Sequence, residues 1–181
     1  MESARGQLLI AGPALIDPNF RRTVVLVVEH GEQGALGLVL NRPSQTTIGE
    51  AVPQLEQLVG SEDELYVGGP VQPSAVLVLA ELEDPADAGL IAFDNVGVLG
   101  LGASAHEPAA GVRCARAFAG HAGWGPGQLD SELERGDWML EPARHEDAFS
   151  AGAQELWTDV LTRKGGSYAL VARMPADPSL N

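Results

Sequence analysis

"RTVVLVVEHGEQGALGLVL", residues 22–40, is the stretch that sets the fold class. Arg22 to Glu29 is rich in valine and apolar on both faces, the pattern of a strand buried inside a sheet. Gly31 to Gly34 supplies a turn, and Ala35 to Leu40 reads as the returning strand. The two runs therefore predict an antiparallel hairpin with a loop of four or five residues. Just upstream, Leu8-Leu9-Ile10 between Gly6 and Gly12 predicts another strand, and Pro13, Pro18 and Asn19 mark an irregular connection.

Downstream, strands continue to outnumber helices. Thr47-Ile48-Gly49-Glu50 fits a capping box, and Pro53 keeps the helix that follows short or kinked. Leu65–Val67 and Ala75–Leu82 read as strands around Gly68-Gly69-Pro70. Gly89–Phe93 and Val96–Leu101 flank a hairpin turn at Asp94-Asn95. Val112–Ala119 reads as a strand with Val112, Cys114, Arg116 and Phe118 on one face. An arginine buried on that face requires a partner. Gln128–Arg135 makes two helical turns with Gly136 as their stop, and Asp137–Glu141 follows as a strand. Ser150 is placed to cap a helix over Ala151–Lys164, with Ala153, Leu156, Trp157, Val160 and Leu161 on one stripe. Ser167–Arg173 fits a strand or a helical turn, and residues from about 174 onward read as a tail. The sum is an α+β domain spanning residues 1–181, its sheet largely antiparallel or mixed and flanked by a few helices. The βαβ alternation of a nucleotide-binding sheet is not evident.

Composition narrows function by exclusion. The 181 residues are 45% hydrophobic, enough for one core. Eleven Lys and Arg stand against 25 Asp and Glu, a formal charge of −14. That field repels phosphate and argues against direct nucleic-acid binding and against anionic membranes. No apolar run approaches the length of a membrane span, and the first residues lack a leader pattern. Cys114 is the only cysteine, which fits a reducing, cytoplasmic compartment.

Chemical motifs are sparse. The four histidines, His30, His106, His121 and His145, show no ligand spacing with one another or with Cys114, so no metal and no cofactor is expected. GASAH at 102–106 has the wrong glycine spacing for a nucleophile elbow. Cys114, mid-strand, reads as a small buried hydrophobe. Two stretches invite ligand-binding readings. GHAGWGPGQL, residues 120–129, runs from strand through glycines into a helix start, where free amides favour an anion near Gly125, Gly127 and Gln128 beside His121 and Trp124. It lacks Lys, Arg, Ser and Thr, and Asp130, Glu132 and Glu134 follow at once. The alternative is a tight turn with Trp124 plugging the core. DPNFRRT, residues 17–23, with Asn41-Arg42 and His30, gathers Asn19, Arg21, Arg22, Asn41 and Arg42 either into a polar pocket or into ordinary strand-end hydrogen bonding.

Three stretches taken together resemble a known family. Residues 6–44, GQLLIAGPALIDPNFRRTVVLVVEHGEQGALGLVLNRPS, resemble the N-terminal signature of the YqgE/AlgH family. LYVGGPVQ, residues 65–72, resembles its middle motif, and the GxxGWGxGQLxxEL pattern with Trp138 beyond it resembles its third. His121 departs from that pattern, standing where members often carry an aromatic residue such as tyrosine. The resemblance implies a bacterial cytosolic protein with a bifurcated, pseudo-barrel sheet and a label of transcriptional regulation. It supplies no catalytic residues. The expectation is therefore a non-enzymatic protein with an indirect regulatory role through a small ligand or protein partner, as a monomer or weak dimer. The alternative is an enzyme acting on a small anionic metabolite through Asn19, Arg21, Asn41, Arg42 and a histidine.

Overall fold

The computed structural model describes residues 2–99 and 111–176. Among these residues, ten strands form one branched sheet: β1 (Gln7–Ala11), β2 (Val24–Gly31), β3 (Gly34–Val39), β4 (Pro43–Thr47), β5 (Glu64–Val67), β6 (Val71–Leu82), β7 (Leu90–Phe93), β8 (Val96–Val98), β9 (Val112–Trp124) and β10 (Trp138–Pro142). Among the described residues, six short helices accompany it: α1 (Ile48–Ala51), α2 (Glu56–Val59), α3 (Gln128–Arg135), α4 (His145–Phe149), α5 (Leu156–Lys164) and α6 (Ser167–Val171). The main path runs β10-β1-β2-β3-β9-β6-β8-β7. Among the described residues, every pairing is antiparallel except β5 against β9, where Tyr66 lies opposite Phe118 and Val67 opposite Ala119. The sheet divides at β9, which pairs with β6, with β5 at its middle and with β3 at its end. It remains open, since the terminal strands β10 and β7 do not pair with each other.

The hairpin that set the fold class is present but tighter than expected. Gly31 pairs with Gly34, leaving only Glu32 and Gln33 in the turn. Gly34 adopts φ 119°, and a Cβ there would collide with the Trp124 carbonyl oxygen, so glycine is what lets the chain reverse this early. β1 and β2 are buried on both faces, as their apolar runs require. Leu8, Ile10, Val24, Leu26 and Val28 enter one core, and Leu9, Val25 and Val27 enter the other. The first core is closed by α5 through Leu156, Trp157, Val160 and Leu161, each worth about 1.5–3 kcal/mol before the entropy of ordering is subtracted. The second holds Trp124, Leu129 and Trp138. A smaller third core packs Ile48, Val52 and Leu55 on Val78 and Ala117.

Several local expectations hold. Thr47 accepts from the Glu50 amide at 3.4 Å and its own amide donates to Glu50 Oε2 at 3.2 Å, completing the capping box. Pro53 ends α1 and opens a 3-10 turn, so the helix there is split. Gly136, at φ 76°, stops α3.

Others are corrected. β9 does not end at Ala119; it continues to Trp124 because His121 and Gly123 find partners on β6 and β3. β2 begins at Val24 because Arg22 sits at φ 54°, outside strand geometry. β4 and α4 were not expected. Ser150 does not cap a long helix. Its hydroxyl accepts from the Gly152 amide at 3.1 Å, and α5 starts only at Leu156 after a 3-10 turn. Ser167–Val171 is helical, which resolves the open choice. The extension of β8 to Leu101, the GASAH stretch, and the end of the tail from residue 177 lie outside the described residues. Among the described residues, no helix is long and apolar enough to cross a membrane.

Candidate functional site

The glycine stretch is tied to the start of α3 by hydrogen bonds of its own. The Gly125 amide donates to Gln128 Oε1 at 3.0 Å, and Gln128 Nε2 donates to Glu132 Oε1 at 3.0 Å. Glu132 Oε2 in turn accepts both the Trp124 and Trp138 indole N–H groups at 2.8 Å. Of the groups expected beside an anion, the Gly125 and Gln128 amides, the Gln128 side chain and the Trp124 indole thus have partners within the protein. His121 lies within β9 opposite Val71 and is not on the loop. His30 Nδ1 accepts from the Ala4 amide at 3.0 Å, and its Nε2 lies 3.7 Å from Asp130.

The second polar cluster divides. Asn41 joins two strand ends, accepting from the Val24 amide and donating to the Arg22 carbonyl, both at 2.9 Å. Arg42 donates to the Arg21 carbonyl at 3.1 Å, and Asp17 holds the Asn19 amide at 2.8 Å in a turn. Arg21 and Arg22 line a common cavity, of about 160 Å³, beside Trp157 and Met174. Arg22 there donates to the Met174 carbonyl and stacks 4.5 Å from the Trp157 ring centre.

A cleft that the sequence did not single out lies on the other branch of the sheet. It encloses about 410 Å³ between β5, β9 and the chain after α4. Its floor is Arg116, the strand arginine for which a partner was required. The guanidinium donates to the Ala148 and Ser150 carbonyls at 3.2 and 2.9 Å and lies 4.4 Å from the Tyr66 ring centre. Burial lowers Arg116 from the usual arginine range, against the raising influence of Tyr66 and Asp63. Glu62, Asp63 and Glu64 also line the cleft. The two hydrogen bonds to Ala148 and Ser150 use two of the five guanidinium N–H groups.

Cys114 lines the same cleft and is partly exposed, not the buried hydrophobe expected. It stands in register with Glu81 on β6, so the two side chains share a face. His145, the first residue of α4, brings Nε2 to 2.7 Å from Glu81 Oε2 and 3.7 Å from Cys114 Sγ. Desolvation pushes Glu81 up, but hydrogen bonds from Asn95 and His145 and the nearby positive charges outweigh it and hold Glu81 below the usual carboxylate range. Burial, then the Glu81 charge, push the Cys114 thiol up. The sequence hides this trio, because its members lie 31 to 64 residues apart. The one available signal is Glu81 itself, a charge ending the apolar run AVLVLA.

Residues 8–169 match the family model described as DUF179, AlgH-like. A UPF0301 protein of Streptomyces coelicolor is 40% identical over 187 residues, covering 100% of this chain and 97% of that protein. The crystal structure of protein DIP2367 from Corynebacterium diphtheriae superposes with a TM-score of 0.85 at 31% identity, covering 96% of this chain and 94% of that one. The solution structure of the AlgH protein from Pseudomonas aeruginosa gives 0.70 at 30% identity, covering 96% and 95%.

Proposed function

This chain belongs to the AlgH-like family, and from that membership we propose that it is a non-enzymatic, cytoplasmic binding protein with an indirect regulatory role, its ligand a small amine held in the Arg116 cleft. One observation carries the reading: three acidic residues, Glu62, Asp63 and Glu64, line a cleft whose only cation among the described residues is already bound to two backbone carbonyls and a tyrosine ring. Such a wall attracts a positive group, while the remaining Arg116 donors suit an anionic end of the same molecule. Cys114 supports a binding role over catalysis. A nucleophilic cysteine works as thiolate, and here burial and Glu81 favour the thiol, while His145 Nε2 is turned toward Glu81. The single cysteine also supports a reducing compartment.

A thermal-shift screen of amines, amino acids, organic acids and sugar phosphates tests this. A ligand at 100 times its Kd adds about 2.7 kcal/mol, several degrees for a domain of this size. Amines are expected to raise the midpoint, and Asp63→Asn with Glu64→Gln to abolish the rise. Shifts from organic acids and sugar phosphates alone would overturn the reading.

A second reading rests on a different observation, the meeting of Arg21 and Arg22 on one cavity. There the chain would act on an anionic metabolite, and Arg21→Ala would remove the response to anions.

A further inference from the structure

We propose that Glu81, Cys114 and His145 form a binding site for a zinc-class divalent cation at the edge of the Arg116 cleft. The inference does not depend on the amine reading, and either can fail alone.

The donor atoms converge. Glu81 Oε2, Cys114 Sγ and His145 Nε2 all lie within 4.8 Å of one another. The individual edges are 3.7 Å from sulfur to nitrogen, 3.8 Å from sulfur to oxygen and 2.7 Å from nitrogen to oxygen. With metal–sulfur bonds of about 2.3 Å and metal–nitrogen or metal–oxygen bonds of about 2.0–2.2 Å, a tetrahedral ion requires edges of about 3.3–3.6 Å. Both edges to sulfur are within a few tenths of an ångström of that. The nitrogen–oxygen edge is a hydrogen bond that the ion replaces, opening by about 0.6 Å. His145 is free to make that move: its side chain is 47% exposed at the start of a short helix.

The arrangement is not that of a catalytic triad. There the acid bonds one imidazole nitrogen and the nucleophile the other. Here Glu81 and Cys114 both address Nε2, as ligands around a shared point do. The donor chemistry selects the ion. One thiolate, one imidazole and one carboxylate suit zinc or cobalt, whereas calcium and magnesium prefer oxygen alone. Cys114 binds as thiolate and its proton passes to solvent, so one dication meets two negative ligands and one neutral one.

The ligands are supported from behind. Asn95 Nδ2 donates to the other Glu81 oxygen at 3.3 Å and to the Leu82 carbonyl at 2.9 Å, fixing the carboxylate. The His145 ring packs on Phe149, with centres 5.0 Å apart. Arg113, 3.8 Å from Glu81, opposes a cation but is mostly exposed. Three protein ligands leave a fourth position for water or an outside donor, the pattern of an open site.

The test uses the full chain, stripped with chelator and titrated with Co²⁺. The expected result is one Co²⁺ per chain with a near-ultraviolet thiolate-to-cobalt charge-transfer band and the intense visible bands of tetrahedral cobalt. Zn²⁺ should displace it and Mg²⁺ should not. Cys114→Ser should remove the charge-transfer band, and His145→Ala should weaken binding at least tenfold. Wild-type spectra alone are decisive even if a variant misfolds. Octahedral cobalt with no thiolate band would overturn the proposal, as would Co²⁺ affinity unchanged in folded Cys114→Ser and His145→Ala.

Discussion

Trp124 and Trp138 donate their indole N–H groups to the same oxygen, Glu132 Oε2, each at 2.8 Å. Their rings meet near the perpendicular, with centres 6.2 Å apart, and Phe20 packs against both. Both indoles are almost wholly buried, so α3 docks on the sheet through one carboxylate that satisfies two donors. Glu132→Ala leaves both N–H groups without a partner. A loss of about 3 kcal/mol is expected in denaturant unfolding, with a change in native tryptophan fluorescence. A loss below about 0.5 kcal/mol would contradict this role.

Gly69 and Gly120 mark where two backbones cross. Gly69 has φ 151°, and a Cβ on it would overlap the His121 main chain; a Cβ on Gly120 would overlap the Gly69 carbonyl. The middle motif LYVGGPVQ thus has a steric reason, the close passage of the chain leaving β5 over β9. Gly69→Ala should cost at least about 2 kcal/mol, measured as a lowered urea midpoint. Gly31→Ala, with open space around its Cβ, serves as the mild control.

How far the sequence reveals this protein depends on how local each determinant is. The β2–β3 hairpin, the Thr47–Glu50 box and the Gly136 stop are written in neighbouring residues, and all three were legible. β4 was not, because PSQTT carries no apolar alternation and becomes a strand only when β5 arrives beside it. α4 was hidden for a similar reason, since its five residues are fixed by Asp147, whose partner Arg163 lies 16 residues away. The glycine stretch drew notice through composition, yet composition does not say whether amides face a ligand or a glutamine. The Glu81–Cys114–His145 trio and the Arg116 cleft are assembled by strand register and the return of the chain after β10. No spacing rule reads such an assembly.

Asp147 is 97% buried by the measure of its 3% side-chain exposure and is bridged by Arg163 at 2.8 and 2.9 Å. Its second oxygen also accepts the Arg144 amide at 2.8 Å, so one carboxylate holds the start of α4 and ties it to α5. Asp147→Ala leaves the guanidinium without its carboxylate and should cost about 3–5 kcal/mol. Calorimetry should show a midpoint lowered by 10 °C or so, roughly what that loss implies for this size. A change of about 1 °C would show the pair to be dispensable.

Burial pushes the Tyr66 hydroxyl up from the usual tyrosine range; the Arg116 charge opposes this, and Glu64 and Asp63 add to it. The folded state therefore holds this proton more tightly than the unfolded chain. Its stabilising contribution is complete below the usual tyrosine value, near pH 10, and is lost as pH rises through the folded value. Stability measured from pH 9 upward should fall less steeply in Tyr66→Phe than in the wild type. Equal slopes would count against a buried, protonated phenol beneath the cleft.

The cleft's role is most directly tested by titrating the isotopically labelled protein with a small diamine and following backbone amide resonances. The account expects saturable shifts confined to residues 62–66, 114–116 and 149–151, absent in the Asp63→Asn, Glu64→Gln double variant. Shifts centred on residues 125–128, or on Arg21 and Arg22, would place recognition elsewhere and contradict the account.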